Sequence, residues 1–266
     1  MNQLRTRPVF AAGLAAALLF GAVACGSDSE GSKASSDGDT AAGKLTVCSD
    51  IPYAPMEFEG EGPRGLKYTG FDIDLLDAMA EDMGDTLEVL DSDFDGILGN
   101  LAAGTCDVVG SALTITPDRQ KEVDFTAPYF DADQSLLVKT DSEVKSLADL
   151  AGETIGVQTG TTGETYANEN KPDGAEVKSF PDPDGLFGAL ESGDIAAILQ
   201  DLPVNADRVA GDDTVQVVET FATNEQYGFA VEKGSDLKAE LDASLKAVRA
   251  AGTYDELYDK YFPKAG

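Results

Sequence analysis

The chain has 266 residues, enough for one large domain or two modest ones with a sizeable core. Its 49 acidic residues outnumber 19 lysines and arginines, a net charge of −30; this disfavours nucleic-acid binding and reads as the solvated surface of a soluble body. With no histidine and no tryptophan, Ser-His-Asp and Cys-His nucleophile pairs are excluded, and so is the commonest zinc ligand.

At the amino terminus Arg5 and Arg7 precede an apolar run, Val9 to Phe20, that is short for a membrane span. Ala22-Val23-Ala24 then leads to Cys25, so residues 1–24 read as an export signal. A cysteine directly after small residues resembles the lipobox of bacterial lipoproteins. That resemblance implies cleavage before Cys25 and lipid on its thiol and new amino terminus, which would anchor the protein to the outer face of the cell membrane. An ordinary secretory signal is the alternative. Residues 25–43 are mostly Gly, Ser, Asp, Ala and Thr, have almost nothing to bury, and read as a flexible tether.

Lys44 to Val47 alternates into a strand, and Cys48-Ser49-Asp50 carries it into the loop IPYAPMEFEGEGPRG. Phe71, Leu75, Leu76, Met79 and Met83 follow helical spacing, closed by Gly84. Leu87 to Leu90 is a second strand, and Asp95 to Ala103 a second helix stopped by Gly104. Val108-Val109 begins a strand that passes through Gly110-Ser111-Ala112 to Thr116-Pro117-Asp118-Arg119. Those four residues carry the signals of a helix start: Thr as N-cap, Pro at the first position, an acid in the first turn. A helix amino terminus following small residues can hold an anion, and Arg119 adds a planar donor fork suited to a carboxylate. A plain strand-helix junction with a surface arginine is the competing reading. Cys48 and Cys106 lie in apolar, strand-like segments where a buried disulfide and two buried thiols both fit. In parallel neighbouring strands Cys48 falls near the end of one and Cys106 near the start of the other, an offset that leans against a bond.

After Ser135–Val138, another strand, a similar programme restarts with Thr154 to Val157. Asp95-Gly96-Ile97-Leu98-Gly99-Asn100-Leu101-Ala102-Ala103-Gly104 is echoed 89 residues later by Asp184-Gly185-Leu186-Phe187-Gly188-Ala189-Leu190-Glu191-Ser192-Gly193. Each copy is a helix with a glycine stop followed by an apolar strand. The alternation predicts α/β architecture with mostly parallel sheets, and its repetition predicts two similar lobes. Ligands bind at the carboxyl ends of parallel strands. The same offset maps Ala112 onto Asp201, so Arg119 on one wall and Asp201 on the other suit a zwitterion.

The segments GFDIDLLDAMAEDMG (70–84), FDGILGNLAAGTCDVVGSALTITPDRQKEVDFTAPYF (94–130), GVQTGTTGETY (156–166), AAILQDLP (196–203), QYGFAVEKGSDL (226–237) and AAGTYDELYDKYF (250–262) together resemble the amino-acid-binding proteins of ABC importers. This is solute-binding protein family 3, the type close to glutamine- and lysine/arginine/ornithine-binding proteins. The resemblance spans almost all of residues 44–263. It implies a two-lobed periplasmic-binding-protein-like fold, with lobe 1 at 44–128 and 228–266, lobe 2 at 134–222, and hinge strands at 129–133 and 223–227. It implies that Arg119 clamps the ligand's α-carboxylate with help from Thr114 and from the amides of Thr161 and Thr162, at a helix start spanning Gly160 to Gly163. Ala112 would offer its carbonyl to the α-ammonium, Asp201 would accept from that ammonium, and Leu113 joins the same strand-end set. Tyr53 and Phe94 match positions that sandwich the ligand side chain. Asp50 matches a position that holds an amide or a cation, and Gln158 one near the side-chain end. A neutral Gln158 beside Asp50 points away from anionic ligands, leaving glutamine, arginine, lysine or ornithine.

The resulting expectation is an extracytoplasmic receptor, monomeric and without a cofactor or metal, that passes a polar L-amino acid to the membrane subunits of an ABC importer. An enzyme on the same fold, such as a cyclohexadienyl dehydratase, would need a placed general acid, for which Asp50 or Asp201 is available. A sensory binding module is the third reading.

Overall fold

The computed structural model describes residues 43–263; the expected signal peptide, Cys25 and the tether up to residue 42 lie outside the described residues. β1 (Lys44–Ser49) is followed by a small hairpin of β2 (Phe58–Glu59) and β3 (Tyr68–Thr69), then α1 (Phe71–Met83), β4 (Thr86–Asp91), α2 (Ile97–Ala102) and β5 (Val108–Val109). The one-turn α3 (Arg119–Glu122) and β6 (Val123–Phe125) lead into the long β7 (Phe130–Lys139). Next come β8 (Thr154–Gln158), α4 (Thr162–Asn170), β9 (Glu176–Phe180), α5 (Pro183–Ser192), β10 (Ala197–Asp201) and α6 (Leu202–Gly211). The chain returns through β11 (Val215–Tyr227) and β12 (Ala230–Glu232) and ends in α7 (Leu237–Ala251) and α8 (Thr253–Tyr261).

Two five-stranded sheets result, ordered β4-β1-β5-β12-β6 and β9-β8-β10-β7-β11. The repeated motif occupies equivalent places: α2 precedes β5 and α5 precedes β10, each strand third in its sheet. Gly84 and Gly193 close α1 and α5 with φ near +83°, a left-handed cap for which a residue without Cβ is suited. Each sheet is covered on both faces. α1 and α7 pack Leu75, Leu76, Leu241 and Leu245 on one face of the first sheet, while Ile97 and Leu101 of α2 pack on the other. In the second sheet Ala167 of α4 and Leu186 and Leu190 of α5 belong to separate cores around Leu199 and Ile198. Complete burial of one such leucine contributes about 1.5–3 kcal/mol.

The sheets are mostly parallel, as expected: β4, β1, β5 and β6 run in one direction, as do β9, β8, β10 and β11, and only β12 and β7 are reversed. The cause of the single reversed strand in each is connectivity, since the chain enters the second sheet through β7 and comes back to the first in β12, each filling a place against strands of opposite direction. The structure revises two expectations. The helix expected after Thr116 is a single turn. Thr116 Oγ1 does accept the Arg119 amide at 3.2 Å, but four helical residues carry no sustained array of free amides, so the anion reading there rests on the Arg119 side chain. Finally, Cys48 and Cys106 are joined, with sulfurs 2.06 Å and Cα atoms 5.7 Å apart. Val47 and Cys48 pair with Val108 and Val109, so a straight extension of β5 would put Cys106 about 10 Å from Cys48. Cys106 is instead in the turn descending from α2, packed with Ile97 and Leu101 on the sheet face beneath that helix, and this brings it over Cys48.

Candidate functional site

The carboxyl ends of β1, β5, β8 and β10 converge. Asp50 follows β1, Ser111 to Thr114 follow β5, Gln158 ends β8 with Thr161 and Thr162 just beyond, and Asp201 ends β10. With Tyr53, Phe94 and Arg119 these residues line one tight, nearly closed cavity. All the expected site residues border it except Leu113, which is buried in the core containing the disulfide and gives its carbonyl to the Gly228 amide. The alternation of side chains past Ala112 turns Leu113 to the opposite side from its neighbours.

The two walls touch across the cavity. Gln158 Nε2 donates to Asp50 Oδ2 at 2.6 Å. Arg119 reaches back to Thr114 O at 2.9 Å through Nη1 and across to Gly160 O at 3.0 Å through Nη2, with its guanidinium 5.4 Å from the centre of the Phe94 ring. Burial weakens the hold of Arg119 on its proton, while Asp201 and Glu225 act to retain it, and the guanidinium stays charged. Thr161 caps α4 by accepting the Glu164 amide at 3.1 Å.

Asp201 accepts from Tyr227 Oη and from Gln134 Nε2, each at 2.5 Å. Burial pushes its carboxyl up to about 6, against the hydrogen bond from Tyr227 and with the nearby charge of Glu225 adding to the rise. Asp50 is likewise pushed up to about 6, mainly by burial, with Gln158 opposing and Asp91, Asp93 and Asp182 adding repulsion. Near neutral pH Asp50 and Asp201 are therefore mostly carboxylates, and the acids of the site outnumber its one guanidinium. A zwitterion with a cationic side chain would offset part of that excess. Among the described residues no group of three potential metal ligands is clustered.

Ala112 adopts φ +45°, a left-handed conformation that costs a residue with a Cβ about 1–2 kcal/mol. Asp72 holds it there by accepting the Ala112 amide at 2.8 Å. Sequence reasoning missed Ser111, Gln134, Glu225 and Tyr227. Gln134 lies directly across from Asp201 in the β7–β10 pair. Glu225 Oε2 accepts from Gln134 Nε2 at 3.0 Å and Thr162 Oγ1 at 2.9 Å. The register shift between Phe221 and Glu225, with Asn224 at φ +55°, is what aims Glu225 at these groups. No residue type or spacing in the sequence marks these four as part of the site.

Residues 45–264 match the bacterial extracellular solute-binding proteins, family 3. The chain is 32% identical to the arginine-binding extracellular protein ArtP of Bacillus subtilis, covering 94% of this chain and 95% of that protein. It is 32% identical to the histidine-binding periplasmic protein of Salmonella typhimurium over 82% of this chain and 87% of the other. Among solved structures, the ancestral amino acid-binding protein AncCDT-1, a precursor of cyclohexadienyl dehydratase, is similar with a TM-score of 0.75 and 40% identity over 83% of this chain and 96% of its own.

Proposed function

From the premise that this chain belongs to the bacterial extracellular solute-binding proteins of family 3, we propose that it captures an L-amino acid, a basic one in preference and glutamine next, and delivers it to an ABC importer. The observation that carries this reading is the facing of Arg119 by two buried carboxylates, Asp201 and Asp50, around one cavity. Arg119 and the amides at the start of α4 take the ligand's α-carboxylate; Asp201 and the Ala112 carbonyl take its α-ammonium. Tyr53 and Phe94 flank the side chain, and its cation or amide meets Asp50 and Gln158. Bending takes place in residues 129–133 and 223–227, between lobe 1 (44–128 and 228–266) and lobe 2 (134–222). The ligand favours closure because its carboxylate and ammonium need both walls. The protein works as a monomer without catalysis, held outside the membrane by lipid on Cys25, and importer subunits read the closed form.

Calorimetric titration of the body from residue 44 against the twenty L-amino acids tests the reading, with arginine and lysine expected to bind more tightly than glutamine. Asp50→Asn should cost the basic ligands about tenfold or more in affinity and glutamine much less. Binding of no amino acid sinks the proposal. A second reading, a dehydratase with Asp50 as proton donor, is favoured by the raised carboxyl of Asp50 and the likeness to AncCDT-1; conversion of a bound cyclohexadienyl acid, followed by mass spectrometry, would establish it instead.

A further inference from the structure

Behind the ligand-facing strand end lie two acids, Glu57 and Asp72, both with no solvent exposure. Glu57 Oε1 accepts from Ser111 Oγ at 2.9 Å, and Ser111 Oγ in turn accepts the Asp50 amide at 2.9 Å. Asp72 Oδ2 accepts the Ala112 amide at 2.8 Å and Tyr129 Oη at 2.6 Å. Each acid thus grips one of the two adjacent residues, Ser111 and Ala112, that set the strand-end conformation. Their other oxygens, Glu57 Oε2 and Asp72 Oδ1, are buried and have no hydrogen-bond partner. The two residues are joined locally, since the Asp72 amide donates to the Met56 carbonyl at 3.0 Å. Neither forms an ion pair with a basic side chain of the described residues.

Two fully buried carboxylates that grip neighbouring residues and have no cation beside them cannot both stay ionised. We propose that Glu57 and Asp72 hold one proton between the two groups, one acid un-ionised and the other ionised, and that this pair is a positioning element holding Ser111 and the left-handed Ala112 in the conformation that reads the ligand's ammonium.

The groups facing the unit are acids and phenols: Asp50, Asp201 and Tyr129 around Glu57 and Asp72, with Tyr53 nearby. Burial, then repulsion from Asp72, drives the Glu57 carboxyl well above the usual range, and burial raises Asp72 to about 7. As pH rises, the proton of the pair is therefore held after Asp50 and Asp201 have lost theirs. The positioning half of the proposal rests on the ligand site described under Proposed function; the shared proton does not.

The test compares the full chain with its E57Q and E57L variants. Infrared spectra of the ligand-free proteins at about pH 8 read the carbonyl stretch of an un-ionised carboxylic acid, to which Asp50 and Asp201 contribute little at that pH. The wild type should show the band and E57Q should lose it, because the amide carries no ionisable proton and leaves Asp72 without a second acid beside it. Titration with L-arginine should leave E57Q within about threefold of wild type, whereas E57L, which offers no acceptor to Ser111, should bind about tenfold or more weakly. Absence of the band from the wild type overturns the shared proton, and so does its survival in E57Q. E57L binding like wild type overturns the positioning role. A wild-type protein with the band but no affinity for L-arginine leaves the proton in place and counts against the ligand reading alone.

Discussion

Replacing Arg119 with alanine probes the proposed clamp at its centre. The guanidinium donates to two neutral carbonyls, Thr114 O at 2.9 Å and Gly160 O at 3.0 Å. A ligand carboxylate gripped bidentately would replace these acceptors with an anion. Charge-assisted hydrogen bonds contribute about 1.5–3 kcal/mol each, against about 1 kcal/mol for neutral ones. The exchange of two bonds therefore gains about 1–4 kcal/mol. Alanine loses that gain, so the dissociation constant for L-arginine should rise roughly 5- to 1,000-fold. Arg119→Lys keeps the charge without the fork and should fall between wild type and alanine. Isothermal titration calorimetry reads the affinity, and the melting temperature of the ligand-free variant controls for folding. A normally melting Arg119→Ala protein that binds L-arginine within about twofold of wild type would refute the role given to this residue.

Acid should weaken binding. Asp50 and Asp201 lose their charge as pH falls through about 6, so affinity for L-arginine should be greatest near neutrality and drop by up to about tenfold per unit for each group below that value. The ligand-free fold should respond in the opposite sense. These carboxyls are raised above their unfolded values, so their stabilising effect is full below about pH 4 and is lost as pH rises through about 6. Melting curves between those values, with and without L-arginine, should therefore diverge, and parallel curves would contradict the assignment. For the disulfide, Ellman titration of the denatured body from residue 44 should find no free thiol before reduction. A Cys48→Ala, Cys106→Ala double variant removes a crosslink closing 58 residues and should lower stability by about 4 kcal/mol on the chain-entropy account, read by urea denaturation.

Much of the architecture was legible because it is written in short-range chemistry. Helical spacing with a left-handed glycine stop located α1 and α5, and the 89-residue echo anticipated that Ala112 and Asp201 follow equivalent strands. What could not be read depends on how the chain returns. The one reversed strand of each sheet, β7 or β12, has a direction that leaves no local mark. The disulfide depends on the descent of Cys106 from α2, not on its position along β5. Gln134 and Glu225 reach the site through a cross-strand register and a break in β11, and Glu57 reaches it through a hydrogen bond to Ser111. None of these follows from residue type or spacing.

The strand order of the first sheet also imposes a timetable on folding. β12 lies between β5 and β6, so that sheet stays split until residues 230–232 are available, after every strand of the second sheet. The second sheet is built from β7 to β11, one continuous stretch, and has every strand it needs earlier. The amino-terminal lobe is thus the late one to complete, and its apolar strands wait exposed for a distant partner. For a chain that must cross a membrane before folding, a first lobe unable to close prematurely keeps the leading segment extended while the remainder follows.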